Sequence, residues 1–132
     1  MNRCECSREE DIVRAICDSH FDKKNNRFSS YLFRGPDISV SRLLILPLDN
    51  IFKIFHRDLD KPPRSKVICA GEINVGKLQD IGKGHNEPKI ITVEIDALPD
   101  NPAHAVIPQK LSPSLAKKII RELRFHASPQ SA

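Results

Sequence analysis

The chain has 132 residues, a net charge of +4 and a pI of about 9.0. This length and a hydrophobic fraction of 39% are typical of one folded domain that needs no metal or disulfide to hold its core. Aromatic residues are only 5% of the chain, which argues against a base-stacking surface for single-stranded nucleic acid. Because the positive charge is mild and scattered, an anionic partner is allowed, while nucleic acid is not favoured.

The first ten residues, MNRCECSREE, are polar and contain no apolar signal-peptide segment. The longest apolar run, residues 43–48, is interrupted by Pro47 and is far shorter than the ~20 residues of a membrane span. We therefore expect a soluble cytoplasmic protein with no membrane partner, in which the four cysteines are reduced.

The first third of the chain predicts a helix followed by strands. Ser7 and Glu10 form an S-x-x-E capping box, and the apolar residues that follow predict a helix ending near His20. A polar loop is expected next. Residues 30–34 and 38–46 then predict two strands, separated by a Gly-Pro turn.

The middle of the chain predicts a helix capped by Asp49, which ends before the Pro-Pro pair after Leu59. A buried strand is expected over residues 67–73. Asn74 then caps a short predicted helix that ends near Gly82. Residues 90–98 alternate between apolar and polar side chains, which predicts a strand with one solvated face.

The last third predicts a short strand over residues 104–107 and a final helix that begins at Ser112-Pro113. Flexible ends are expected over residues 1–6 and 126–132. The order of elements predicts a single α+β domain over residues 1–132, with three helices besides the short one at Asn74. Its sheet is expected to be mixed but mostly antiparallel, with four or five strands.

Residues 71–77 match the pattern G-x-x-x-x-G-K after an apolar strand, which is the arrangement of a phosphate-binding P-loop. The residue after Lys77 is Leu78, so the Ser or Thr hydroxyl that would bind magnesium is missing. We interpret the segment as a strand, a turn and an Asn-capped helix, and nucleotide hydrolysis is not predicted.

Four residues of zinc-ligand type lie near the N-terminus: Cys4, Cys6, Cys17 and His20. Their spacing is not a common structural-zinc pattern, so the prediction names no metal and no cofactor. A zinc-tethered adaptor that uses these four residues stays as an alternative. Cys69, in an apolar strand, is expected to be a small core residue.

His104 is the histidine best placed for a function. It follows the rigid turn at 99–102 and precedes an apolar strand, which holds an imidazole at the rim of a sheet as a candidate general base. The alternative is that His104 only ties this turn to backbone carbonyls. His56 and His126 are expected on the surface, and His85 in a loop.

Arginine grips phosphate or carboxylate with two parallel hydrogen bonds, and Arg34 and Arg42 flank a Gly-Pro-Asp turn. The alternative is that these arginines pair with Asp37, Asp96 or Asp100. The same segments also carry polar side chains that could contact a ligand. The predicted ligand-binding residues are Arg34, Ser39, Arg42 and Asn101, with His104 as the predicted catalytic residue.

A Ser/His/Asp set cannot be asserted from these residues. Ser39 or Ser41 with His104 and Asp100 is conceivable, but neither serine is flanked by the glycines of a nucleophile elbow.

The segments ISVSR, KVICAGEI and DNPAHAVI together resemble a group of small uncharacterised bacterial proteins that share an ISV-x-R strand, an aGe segment and a dNPaHA-x-I turn. The resemblance spans residues 33–107. The positions that match the shared motifs are Ser39, Arg42, Asn101 and His104. The resemblance implies a bacterial cytosolic protein, and it implies no activity.

The sequence therefore predicts a small bacterial binding or interaction domain that recognises an anionic ligand or a protein partner near Arg42 and His104. The alternative is a small enzyme acting on a phosphate-bearing substrate, either a nucleotide or a nucleic acid. In that enzyme His104 would be the acid or base, and Arg34 and Arg42 would stabilise charge. The enzyme hypothesis requires Arg42 and His104 to line one concave cleft.

Overall fold

The structure is a computed structural model that describes residues 3–129. Its strands are β1 (Asp11–Cys17), β2 (Phe21–Asp22), β3 (Arg27–Phe28), β4 (Ile38–Arg42), β5 (Val67–Asn74), β6 (Glu94–Ile95), β7 (His104–Ile107) and β8 (Arg124–Ala127). Its α-helices are α1 (Leu48–Leu59), α2 (Val75–Gly84) and α3 (Pro113–Arg121), and short 3-10 helices lie at Asp18–His20 and Ser30–Phe33. Within this range no helix combines the length and the apolar character that a bilayer crossing requires.

Six strands form one sheet in the order β6-β7-β4-β1-β5-β8, and β2 and β3 form a separate hairpin. The pairings within the large sheet are all antiparallel. The predicted single α+β domain is confirmed. It has three α-helices, with the helix at Asn74 counted among them in place of the predicted N-terminal helix. The sheet is larger than the four or five strands expected, because β1 and β8 arise from segments that the sequence assigned to a helix and a flexible tail.

The predicted N-terminal helix is wrong, since residues 11–17 form the central strand β1. Ile12 packs into the apolar cluster on one face of the sheet, and Val13 into the cluster on the other face. A strand buried on both faces loses the alternation that identifies a half-buried strand, and its apolar run also fits a helical spacing. The Ser7 amide does donate to Glu10 Oε2 at 3.2 Å, but within a turn before the strand.

Three other segments differ from their predictions. Residues 30–33 form a 3-10 helix and not a strand, and the Ser29 hydroxyl caps it by accepting from the Tyr31 amide at 3.2 Å. β4 ends at Arg42, four residues before the predicted end. Of the predicted strand over 90–98, only Glu94–Ile95 has strand geometry.

Parts of both ends that were predicted to be flexible pair with strands of the sheet. β8 pairs along β5, from Cys69 opposite Ala127 to Glu72 opposite Arg124. Near the N-terminus, the Ile95 amide donates to the Cys4 carbonyl at 2.7 Å, so this segment runs beside β6. Residues 1–2 and 130–132 of the predicted ends lie outside the described residues.

The segment that matches the P-loop pattern is a strand followed at once by a helix, as interpreted from the sequence. Gly71 lies within β5, and Asn74 Oδ1 caps α2 by accepting from the Lys77 amide at 3.0 Å. The Lys77 ammonium pairs with Glu122 at 3.0 Å. Because β5 continues to Asn74, no loop is left between Gly71 and α2 to wrap a phosphate.

The helices cover the two faces of the sheet unequally. α2 and α3 pack on one face and close the larger apolar cluster. On the other face α1 packs over β1 and β5, with Ile51, Phe52 and Phe55 as its buried side chains. The β4-β7-β6 side of this second face is only partly covered, and a cleft lies there between the sheet and α1.

Candidate functional site

The candidate site begins where the ladder between β1 and β4 ends. This ladder pairs Ile12 with Arg42 and Val13 with Ser41, and it extends no further. The next residue of β1 is Arg14, whose Nη1 donates to the Ser39 carbonyl at 2.9 Å and whose Nε donates to the Leu32 carbonyl at 3.1 Å. A guanidinium group therefore holds β4 beside β1 where a backbone ladder would otherwise continue.

Arg14 has no acidic partner in the part of the chain that the structure describes. Both of its hydrogen bonds go to main-chain carbonyls, and its Nη2 donates to no protein atom there. Burial lowers the pKa of Arg14, yet an arginine begins so far above neutral pH that it stays charged. A partly buried cation without a counter-ion is a position where an external anion is strongly favoured.

A cavity of about 470 Å³, here named the basic cavity, opens beside Arg14. Its lining also contains Arg34, Lys110 and Asp37. The Arg34 guanidinium lies over the Tyr31 ring, 4.4 Å from the ring centroid, and neither Arg34 nor Lys110 forms an ion pair within residues 3–129. Three cations against one carboxylate leave this cavity positively charged.

A second cavity, of about 240 Å³, lies between the sheet and α1 and is here named the helix cleft. Its walls are partly apolar, with Phe55, Leu59 and Leu98 among them. Its lining includes three of the residues predicted from sequence, and it shares Arg14 and Ser39 with the basic cavity. The predicted residues in the helix cleft are Ser39, Asn101 and His104.

Three neighbouring strands bring Ser39, His104 and Asp96 to one face of the sheet. His104 is opposite Ser41 in the β4–β7 register, so Ser39 is its diagonal neighbour. The Asp96 amide donates to the His104 carbonyl at 3.0 Å, which places Asp96 beside His104 on the other side. Ser39 Oγ lies 3.2 Å from His104 Nε2, and His104 Nδ1 lies 3.1 Å from Asp96 Oδ2.

The partners of His104 fix the positions of its hydrogens. Nδ1 faces two acceptors, the carbonyl and the carboxylate of Asp96, each at 3.1 Å. In the neutral ring Nδ1 therefore carries the hydrogen, and Nε2 accepts from the Ser39 hydroxyl. The hydrogen-bonded set of Asp96, His104 and Ser39 is here named the open relay. In it a serine hydroxyl is bonded to a base, His104, and the carboxylate of Asp96 orients that base.

The same residue types form a second chain at the end of α1. His56 Nδ1 lies 2.7 Å from Asp60 Oδ2, and His56 Nε2 lies 2.6 Å from Ser128 Oγ. Ser128 is only 2% exposed, so a substrate cannot reach its hydroxyl, whereas Ser39 is exposed. The chain at His56 ties the C-terminal segment to α1, and it corrects the expectation that His56 lies on the surface.

Arg42, a predicted ligand-binding residue, lies away from both cavities. Its guanidinium donates to Glu10 Oε1 at 2.7 Å and Oε2 at 2.9 Å, with 10% and 8% of the two side chains exposed. The hydrogen bond from Arg42 lowers the pKa of Glu10. Within residues 3–129 the helix cleft that holds His104 does not include Arg42, so the two side chains predicted to share a cleft do not share this one.

Asn101 holds the turn before β7. Its backbone exchanges hydrogen bonds with Leu98 at 3.0 and 3.1 Å and accepts from the His104 amide at 3.2 Å. Its side chain lines the helix cleft in a residue that is 7% exposed, and its carboxamide makes no hydrogen bond to another residue within 3–129. Within residues 3–129 no buried side-chain nitrogen or oxygen lacks a hydrogen-bond partner, so this carboxamide reaches solvent, where it can bond to water or to ligand atoms.

The proposed zinc ligands are not brought together. Cys6 packs in the cluster on the α2–α3 face and Cys17 in the cluster under α1, so the sheet lies between them. His20 Nδ1 accepts from the Cys17 amide at 3.0 Å. Across residues 3–129, no three His, Cys, Asp or Glu side chains are placed to hold a metal ion.

Two cationic residues of the site were not predicted from sequence. Arg14 was assigned to the predicted N-terminal helix, which does not form. An arginine inside the apolar run DIVRAIC nevertheless indicates a partly buried charge, which is often functional. Lys110 lies in a loop between β7 and α3, and the residues around it in the sequence form no motif that would identify it as a site residue. Asp96 was expected on the solvated face of its strand or as an ion-pair partner of Arg34 or Arg42, and not as the partner of His104.

Comparisons of the chain with known protein families, with curated proteins and with solved structures find no match. The resemblance based on ISVSR, KVICAGEI and DNPAHAVI stays a prediction.

Proposed function

We propose that the protein is a binding domain for a small anionic ligand whose phosphate or carboxylate group enters the basic cavity. The observation that carries this proposal is Arg14, which is anchored by two main-chain carbonyls and has no acidic partner among the described residues. The two hydrogen bonds of Arg14 join β4 to β1 but leave its positive charge without a counter-ion, and an anion bound against it would supply one. The bacterial resemblance is the support for a cytoplasmic location in a bacterium.

The cations of the basic cavity are suited to this role in different ways. Arg14 is fixed by hydrogen bonds and Arg34 by stacking on Tyr31, so little side-chain freedom is lost when an anion binds. Lys110 is exposed and unpaired, and it supplies a point charge that can follow ligands of different shape.

The size of the basic cavity favours a small molecule over a macromolecule. A volume of about 470 Å³ lies in the range of small-ligand sites, roughly 300–1,000 Å³. The positive charge is collected in a concavity and not spread along a face, as nucleic-acid binding would require. A protein partner would need a larger complementary surface than this concavity offers.

Calorimetric titration with pyrophosphate and with citrate tests this function. Arg34→Gln and Lys110→Gln should each weaken binding by about tenfold or more, because each removes a charge-assisted contact. Arg64→Gln and Lys83→Gln are the matched controls, since both side chains are exposed, lie outside the cavity and form no ion pair in the described chain. Equal losses in the controls, or no heat from either probe at millimolar concentration, would contradict the proposed function.

A further inference from the structure

We propose that Ser39 is the nucleophile of an ester-hydrolysing site, with His104 as its general base and Asp96 as the residue that positions His104. Three observations support this assignment: the Ser39–His104 contact of 3.2 Å, the His104–Asp96 contact of 3.1 Å, and the exposure of Ser39 where the two cavities meet. The preference for an anionic substrate rests on the proposed function, whereas the reactivity of Ser39 does not.

The buried chain at His56 shows which feature separates a reactive serine from a structural one. Ser128 has the shorter hydrogen bond to its histidine, 2.6 Å, but it is 2% exposed and lines neither the helix cleft nor the basic cavity. Ser39 has the longer bond and borders two cavities. Longer catalytic hydrogen bonds are common in structures without substrate. The accessibility of its hydroxyl to a substrate therefore identifies Ser39, and not Ser128, as the candidate nucleophile.

The acylation step follows from the hydrogen positions in the open relay. Ser39 Oγ forms a bond to the carbonyl carbon of a carboxylic ester, and its proton moves to His104 Nε2. When the tetrahedral intermediate collapses, the bond between the acyl carbon and the alkoxy oxygen breaks. The leaving oxygen takes the proton from Nε2, so the products of this step are an alcohol and an acylated Ser39.

Water completes the cycle without an oxidant or a reductant. A water molecule attacks the acyl carbon and gives a proton to His104 Nε2. The bond between the acyl carbon and Ser39 Oγ then breaks, and Ser39 Oγ takes that proton back. A carboxylic acid leaves, and the open relay returns to its starting state. Asp96 stabilises the imidazolium form of His104 in both steps through Nδ1.

Negative charge develops on the ester carbonyl oxygen in the transition state, and two nearby side chains have N–H groups that are not bonded within the described chain. Arg14 Nη1 is 2.9 Å from the Ser39 main-chain carbonyl, and Arg14 lines both cavities that Ser39 borders, so its positive charge lies near the proposed nucleophile. The Asn101 carboxamide lines the same cleft and has no partner within the described chain. The substrate class is an ester whose reacting carbonyl lies at Ser39 and whose anionic group extends into the basic cavity.

Covalent labelling tests the nucleophile. Diisopropyl fluorophosphate should add to Ser39 of the full-length protein, and peptide mass spectrometry locates the adduct. Ser39→Ala should abolish this labelling, and His104→Gln should slow it by roughly 10²-fold or more. Ser19→Ala is the control, since this exposed serine borders neither cavity. Far-ultraviolet circular dichroism checks that each variant is folded. An unlabelled Ser39, or labelling that His104→Gln leaves unchanged, would overturn the assignment.

Hydrolysis of two esters separates this inference from the proposed function. The anionic p-nitrophenyl 4-sulfobenzoate, whose sulfonate cannot reach its own ester carbonyl, should be cleaved faster than the neutral p-nitrophenyl benzoate, and Arg34→Gln should remove most of the difference. Asp96→Asn should lower kcat with little change in KM, and Asp96→Glu should restore part of it. Labelled Ser39 with equal rates for both esters would support the nucleophile and contradict the anion site. Binding of pyrophosphate to a protein in which Ser39 is never labelled would support the anion site and contradict the assignment of the nucleophile.

Discussion

Arg14 donates a hydrogen bond of 2.9 Å to the main-chain carbonyl of Ser39, and this contact joins β1 to β4 beyond the end of their ladder. It also places a positive charge at the boundary of two cavities, whose linings share Arg14 and Ser39. One side chain therefore both completes the sheet and creates the site.

The buried pair of Glu10 and Arg42 should be the most costly ion pair to break. Glu10→Gln leaves the Arg42 charge buried with a weakened partner, and we expect a loss of about 3 kcal/mol in the free energy of unfolding. Asp80→Asn, in the exposed pair with Arg8, should cost less than about 1 kcal/mol. Urea unfolding at pH 7 measures both, and similar losses in the two variants would contradict the prediction.

The same pair should make stability depend on acidic pH. Because Arg42 lowers the pKa of Glu10 in the folded state, its contribution is complete above the ordinary carboxyl value of about 4.3 and is lost as the pH falls through the lower folded value. The difference in urea midpoint between the natural sequence and Glu10→Gln should therefore narrow below about pH 4. A constant difference from pH 7 to pH 3 would show that Glu10 does not titrate in this way.

Two glycines of α2 should respond in opposite ways to alanine. A Cβ at Gly82 would lie 2.5 Å from the Lys89 carbonyl, so backbone must move, and we expect Gly82→Ala to cost about 2 kcal/mol or more. A Cβ at Gly84 would meet nothing within 4 Å, and Gly84→Ala should be neutral or should gain up to about 1 kcal/mol. Thermal unfolding of the two variants checks which is the less stable. A destabilising Gly84→Ala together with a neutral Gly82→Ala would contradict the prediction.

One of the four thiols should react quickly in the native protein. Burial raises the pKa of Cys69 to about 11, so at pH 8 only about one thiol in a thousand is ionised. Burial also raises the pKa of Cys6 and Cys17, whereas Cys4 is exposed. Iodoacetamide followed by mass spectrometry should show one fast adduct, at Cys4, and three that form only after denaturation. Fast alkylation of Cys69 would contradict the burial of its sulfur.

The two serines bonded to histidine should differ in their importance for stability. Ser128→Ala leaves His56 Nε2 without its hydroxyl partner in a buried position, and we expect a loss of about 1–3 kcal/mol. Ser39→Ala should cost less than about 0.5 kcal/mol, because water can replace the exposed hydroxyl. Urea midpoints of the two variants give the comparison. A larger loss for Ser39→Ala would indicate that the open relay is structural.

Elements with strong local signals were predicted well from the sequence. Asn74 caps α2, and Ser112 caps α3 with Pro113 in its first turn, as the sequence indicated. β1 was missed because its character depends on distant partners. Glu10 matches a capping box locally, yet its carboxylate is held by Arg42, which lies 32 residues away.

The candidate site was predicted only in part for the same reason. Ser39, Asn101 and His104 do line one cleft, because β4 and β7 are neighbours in the sheet. Arg14 and Lys110 come from β1 and from a loop that only the tertiary fold brings near Ser39. These residues have no regular spacing along the chain, so no local sequence pattern could predict the basic cavity.

The most direct test of the basic cavity is anomalous diffraction at the selenium edge from crystals of the protein soaked in sodium selenate, a dianion that resembles phosphate. The proposed function predicts a selenium peak inside the basic cavity, with selenate oxygens within hydrogen-bonding distance of Arg14 and Arg34. Selenium peaks at other basic surface residues, with none in an open basic cavity, would contradict it.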